Sequence, residues 1–156
     1  MVDYIVNALH LLATVIWIGG MAYTAVVLMP AAQALDPGPR GQLMGAVAKR
    51  FSIVAWSSIL LLLITGLIKT PAEMLLDTAS TYGVVLTVKH ALVLIMIIIG
   101  SVITFSVVPK TRSLAPAPGE RPSPAFVKAQ QQLKMLATTN LILGIIVLLC
   151  VVQLES

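Results

Sequence analysis

The two histidines, His10 and His90, are the side chains best suited to bind a metal ion or a metal-containing cofactor, and both lie in long apolar segments. His10 follows Asp3, where the first apolar segment starts, by seven residues, and His90 follows Tyr82, near the start of the third, by eight. In helices, both imidazoles would lie roughly 10–12 Å from the helix ends. Ionisable residues are costly inside a bilayer and usually have a function there. We therefore expect both histidines to be functional.

The position of the two histidines in a helical bundle suggests a cofactor held between them. The first and third helices of an up-down four-helix bundle run in the same direction and are diagonal, which separates them by roughly 11–14 Å. That gap suits a flat macrocycle held edge-on between two imidazoles. We expect a b-type haem with His10 and His90 as axial ligands to the iron, in a protein of redox or electron transfer. A quinone or a periplasmic redox carrier would be its partner, and if it is an enzyme it is an oxidoreductase.

The histidines also allow two hypotheses without haem. The same imidazoles could bind a copper ion, because imidazole is also a copper ligand. Alternatively, each histidine only hydrogen-bonds a neighbouring helix, and the chain is a structural subunit without a cofactor. The residue types alone leave both hypotheses open.

Lys89 and Trp17 complete the predicted cofactor site. Lys89 either extends along its helix to the membrane surface or places its ammonium near a haem propionate or a substrate carboxylate. Trp17 lies on the same helical stripe as His10, two turns further along. Met21 continues that stripe, but it would lie roughly 16 Å from His10, so we interpret it as a packing residue.

The composition requires the chain to be an integral membrane protein. Of its residues 58% are hydrophobic and 10% are charged, whereas soluble domains carry about 25% charged residues. About 20 apolar residues span the hydrocarbon core. The sequence predicts a single all-α transmembrane domain, an up-down four-helix bundle whose helices cover about residues 3–35, 43–69, 82–109 and 125–153. Pro30 should bend the first helix.

A short helix is predicted between the second and third spans. Thr70 and Glu73 form a capping-box pattern with Pro71 at the first helical position. We expect residues 71–77 to form a helix on the outer membrane surface.

The distribution of charge predicts the orientation of the chain. The two connections at residues 36–50 and 110–134 carry eight basic residues against Asp36 and Glu120. Basic residues accumulate on the cytoplasmic side of the membrane, so both termini should lie outside the cytoplasmic membrane. The positive charge thus orients the chain in the lipid bilayer and does not indicate binding to nucleic acid; a homodimer is possible. The eight residues are Arg40, Lys49, Arg50, Lys110, Arg112, Arg121, Lys128 and Lys134.

Three short motifs resemble a known family. The run from His10 through Trp17 and Gly19-Gly20 to Met21 resembles the first helix of the copper-resistance protein D (CopD) family. The residues around Arg50-Phe51 and Thr65-Gly66 are similar to its second helix, and Val88-Lys89-His90 resembles the start of its third. The resemblance implies a four-helix membrane protein of copper import or resistance. The related HemJ-type protoporphyrinogen oxidases, which are associated with a b-type haem, share a histidine and a lysine that fall on His10 and Lys89.

Overall fold

Four long helices make up the computed structural model, which describes residues 1–70, 79–117 and 119–155. They are α1 (Val2–Ala34), α2 (Pro37–Lys69), α3 (Thr81–Ser113) and α4 (Pro124–Glu155). Each is long and apolar enough to cross a membrane, and the described residues contain no β-strand. The predicted all-α, four-helix membrane fold is confirmed. The short surface helix predicted at residues 71–77 lies outside the described residues.

The helices form an antiparallel bundle with two distinct ends. Residues 1, 69, 81 and 155 lie at one end, the terminal end, and residues 35–37, 113–117 and 119–124 lie at the other, the basic end. α1 packs against α2 and α4, and α3 packs against α4. Between α2 and α3, the ring centroids of Trp56 and Phe105 are 5.8 Å apart. Arg112 of α3 also donates a hydrogen bond to the carbonyl of Gly45 on α2. α1 and α3 are therefore diagonal, as predicted.

Two helix boundaries differ from those expected. α2 begins at Pro37 rather than near residue 43. The Asp36-Pro37-Gly38-Pro39 segment starts the helix, because proline is tolerated in the first turn, where its missing N–H would have no helical partner. α3 continues past Pro109 to Ser113.

A turn of π-helix precedes a proline in both α1 and α3. The π turns cover Thr24–Leu28 and Ile103–Val107, and Pro30 and Pro109 follow each at the same spacing. A proline cannot donate to the carbonyl four residues earlier and its ring collides with that carbonyl, so the preceding turn widens. Pro30 therefore widens one turn of α1 near the basic end, and Pro109 widens the corresponding turn of the parallel helix α3.

The apolar core is small and lies on the bundle axis. Most large apolar side chains face outward, as expected for a protein surrounded by lipid. Side chains of all four helices meet in one buried cluster, which consists of Trp17, Ile18, Met21, Ile59, Met96, Leu141 and Val147.

Candidate functional site

His10 lies at the interface of α1 and α2, near the terminal end. Its Nδ1 atom is 2.7 Å from Oγ1 of Thr65 on α2, and Thr65 is 3% exposed. A Cβ at Gly66 would lie 3.6 Å from Cε1 of the His10 ring. The absence of a side chain at Gly66 therefore lets the imidazole lie directly against the α2 backbone.

The hydrogen bonds of Thr65 determine which nitrogen of His10 carries the proton. The Thr65 hydroxyl donates its one hydrogen to the carbonyl of Leu61, at 2.6 Å. Its oxygen must then accept from Nδ1–H of His10, which leaves a lone pair on Nε2. A fixed Nδ1–H with a free Nε2 is the arrangement by which proteins prepare a histidine to bind a metal.

His90 has the same tautomer through a different partner. Its Nδ1 atom lies 2.7 Å from the carbonyl oxygen of Leu86, one turn earlier in α3. Because a carbonyl only accepts, Nδ1 is the donor and Nε2 again keeps its lone pair. Both histidines lie eight or nine residues into their helices, so they are at similar depth from the terminal end. The two rings are thus held separately, one by a neighbouring helix and one by its own.

Polar and charged groups surround His10 on the side of the terminal end. An open cleft, the terminal cleft, lies between α1 and α2 and is lined by Asp3, Val6, Asn7, Ile68 and Lys69. Asp3, Asn7 and His10 share one face of α1 at helical spacing. The charges of Lys69 and Lys89 act on the His10 ring, and Lys89 is half-buried and has an interaction partner of its own. The structure thus brings Lys89 of α3 into the electrostatic environment of His10.

Trp17 lies deeper, in the apolar core. It is 5% exposed and belongs to the buried cluster. It packs two turns below His10 on the same stripe of α1, the position that the sequence predicted.

Asn140 is a buried amide in the middle of α4 that was not among the site residues predicted from the sequence. It is 4% exposed. Its Nδ2 donates to Sδ of Met21 across the α1–α4 interface, at 3.5 Å. Its Oδ1 is buried and has no hydrogen-bond partner. Exchanging the amide oxygen and nitrogen would leave Nδ2 without a partner and turn Oδ1 toward a sulfur that cannot donate, so at least one amide atom is unsatisfied in either orientation. A buried amide inside a membrane span was the signal that could have identified it.

Within the described parts of the chain, no three His, Cys, Asp or Glu side chains are grouped so that they could hold a metal ion.

Comparison with known families places most of the chain within a family model. The profile described as "CopD: Copper resistance protein D" matches residues 45–154, well over half of the chain. The match includes Thr65, Lys89, His90 and Asn140, whereas His10 precedes it. Neither the curated proteins nor the solved structures contain a significant match to this sequence.

Proposed function

The chain belongs to the copper resistance protein D family, and from this we propose that it carries copper ions through the membrane, with His10 as a ligand near the terminal end. The family match favours copper over the haem that the histidine pair suggested. The observation that carries the proposal is the His10–Thr65 hydrogen bond of 2.7 Å, which leaves Nε2 of His10 with a lone pair.

The surroundings of His10 favour Cu(I) over Cu(II). The ammonium charges of Lys69 and Lys89 act on the ring, and Coulomb repulsion by the same cation is twice as large for a divalent ion as for a monovalent one. A neutral imidazole suits a copper ion of either charge. The carboxylate of Asp3, in the terminal cleft with Lys69, offsets part of the positive charge at the point where an ion would approach.

The terminal end is proposed to face the outside of the cytoplasmic membrane. The basic end carries most of the positive charge, and such segments stay on the cytoplasmic side. A copper ion that reaches the terminal cleft would then come from outside, and the bundle would carry it inward.

Transport by the purified protein in lipid vesicles tests the proposal. Copper is supplied outside with ascorbate, which keeps it as Cu(I), and a coloured Cu(I) chelator is trapped inside. We expect faster colour development than in protein-free vesicles and loss of that gain in His10→Ala. Leu12→Ala is the matched control, because Leu12 is on the same helix but faces outward, 55% exposed. Wild-type protein with the rate of empty vesicles would overturn copper transport.

An optical spectrum separates the haem hypothesis from copper. We expect protein purified from haem-replete cells to lack a Soret band. A stoichiometric Soret band that disappears in both His10→Ala and His90→Ala would contradict the copper proposal and support a haem held by the two imidazoles.

A further inference from the structure

We propose that Met21 and Asn140 form a second binding site for a soft monovalent cation, Cu(I), in the middle of the bundle. This inference rests on the proposed function. The thioether of Met21 and the amide of Asn140 meet across the α1–α4 interface, with 3.5 Å between Sδ and Nδ2. Met21 is 9% and Asn140 4% exposed, so the pair is enclosed by the helices.

The unpartnered oxygen of Asn140 indicates that the pair is built for a ligand. Oδ1 has no hydrogen-bond partner, and most buried side-chain polar atoms do have one. An isolated buried amide is unfavourable, and a leucine would fill this apolar surrounding without that cost. A cation that binds Oδ1 would give that oxygen a partner. The adjacent sulfur makes that cation a soft one, because thioethers select Cu(I).

Binding requires a rotation of the Asn140 side chain that breaks its hydrogen bond to Met21. Nδ2–H points at the sulfur of Met21 in the structure. A rotation of the amide would replace the N–H donor with Oδ1, so that the oxygen and the sulfur face the same ion. Both ligands are neutral, so no proton has to leave. Two neutral ligands bind weakly, which allows an ion to leave again, as passage through a membrane protein requires.

Met96 places another thioether between the histidines and the pair. Met96 is fully buried, at 0% exposure, and its Cε lies 3.2 Å from where a Cβ of Gly144 would be. Gly144 is one helical turn from Asn140 toward the terminal end, roughly 6 Å along α4. His10, Met96 and the Met21–Asn140 pair therefore follow one another along the bundle from the terminal end inward.

X-ray absorption at the silver K-edge tests the site, with Ag(I) as a redox-stable probe for Cu(I). The full-length protein carries His10→Ala, His90→Ala and Cys150→Ser, which removes the imidazoles and the free thiol of Cys150, and one equivalent of Ag(I) is added in detergent. We expect sulfur in the first shell of silver. Met21→Leu in this background should weaken Ag(I) binding at least about tenfold, the lower end of what loss of a supporting group costs a metal site. Met135→Leu is the matched control, since Met135 is on α4 but 61% exposed.

Asn140→Leu distinguishes a binding site from a structural contact. We expect this variant to unfold at the same temperature as the wild type or higher, because the unpartnered oxygen is removed, and yet to lose Ag(I) binding and vesicle transport. Equal Ag(I) affinity in the Met21→Leu, Asn140→Leu and Met135→Leu proteins would overturn the second site. If Met21→Leu and Asn140→Leu, each with both histidines present, also transport copper normally while His10→Ala does not, the proposed function stands and this inference fails. Wild-type protein without transport would instead refute the proposed function.

Discussion

Thr65 and His10 are joined across the α1–α2 interface by a hydrogen bond of 2.7 Å, in which the Thr65 hydroxyl accepts from Nδ1 of the imidazole. The hydroxyl can accept because its own hydrogen is donated to the Leu61 carbonyl. This chain of two bonds fixes both the tautomer and the orientation of the His10 ring. It therefore makes Thr65 a positioning residue for whatever His10 binds.

Thr65→Val should impair copper handling without changing the shape of the site. Valine has nearly the size of threonine but cannot accept from Nδ1–H, so His10 loses its fixed tautomer. Loss of such a supporting bond costs about 10–100-fold in metal affinity. We therefore expect the copper concentration that gives half-maximal vesicle transport to rise by a factor of that size. The unpartnered Nδ1–H should also lower the free energy of unfolding by about 1–3 kcal/mol.

Thr24→Val is the control for this prediction. The Thr24 hydroxyl donates to the carbonyl of Gly20 in its own helix, at 2.7 Å. The Thr24→Val variant therefore loses a hydrogen bond of similar length that does not involve His10. Its copper affinity should match the wild type. Equal affinity for copper in Thr65→Val and Thr24→Val would contradict the role of Thr65.

The two adjacent glycines of α1 should respond differently to alanine. A Cβ at Gly20 would overlap the ring of Phe51 on α2, whereas a Cβ at Gly19 would have no other atom within 4 Å. Gly20→Ala should therefore destabilise the bundle by about 1–3 kcal/mol, as overpacking does. Gly19→Ala should be neutral or slightly stabilising, because alanine favours a helix.

Thermal unfolding in detergent, followed by circular dichroism, measures both glycine variants. The comparison is internal, since the substitutions are chemically identical and one residue apart. A midpoint for Gly20→Ala equal to or above that of Gly19→Ala would show that Phe51 moves aside at little cost.

The four spans could be predicted from the sequence because a bilayer tolerates few alternatives. Every backbone polar group must be paired inside the membrane, so long apolar runs become helices. The boundaries were less predictable at the prolines. The Asp36-Pro37-Gly38-Pro39 segment resembles a helix stop but starts α2, and α3 passes Pro109 by means of a π turn. Proline excludes a hydrogen bond, and whether the helix ends or widens depends on the packing around it.

The histidine positions were predictable, but their partners were not. The sequence places His10 and His90 at similar depths, and the structure agrees. That Thr65 faces His10 depends on the rotation of α2 about its axis, which adjacent apolar residues do not determine. The same reason applies to Met21, which the sequence suggested was a packing residue. Its contact with Asn140 joins residues 119 positions apart, and only the folded bundle brings them together.

The orientation of the bundle in the membrane can be tested without any metal. The segments at the basic end should face the cytoplasm, because translocation of several lysines and arginines is unfavourable. In a Cys150→Ser background, Ala79→Cys, at the terminal end, should react with a membrane-impermeant thiol reagent in intact cells. Gly38→Cys and Ala117→Cys, at the basic end, should react only after the membrane is permeabilised.

Ala79 and Ala117 are exposed, and a Cβ at Gly38 has open space around it, so a lack of reaction in intact cells cannot come from burial. Labelling of Gly38→Cys and protection of Ala79→Cys in intact cells would invert the orientation. The terminal cleft and His10 would then face the cytoplasm, and the proposed direction of copper movement would reverse.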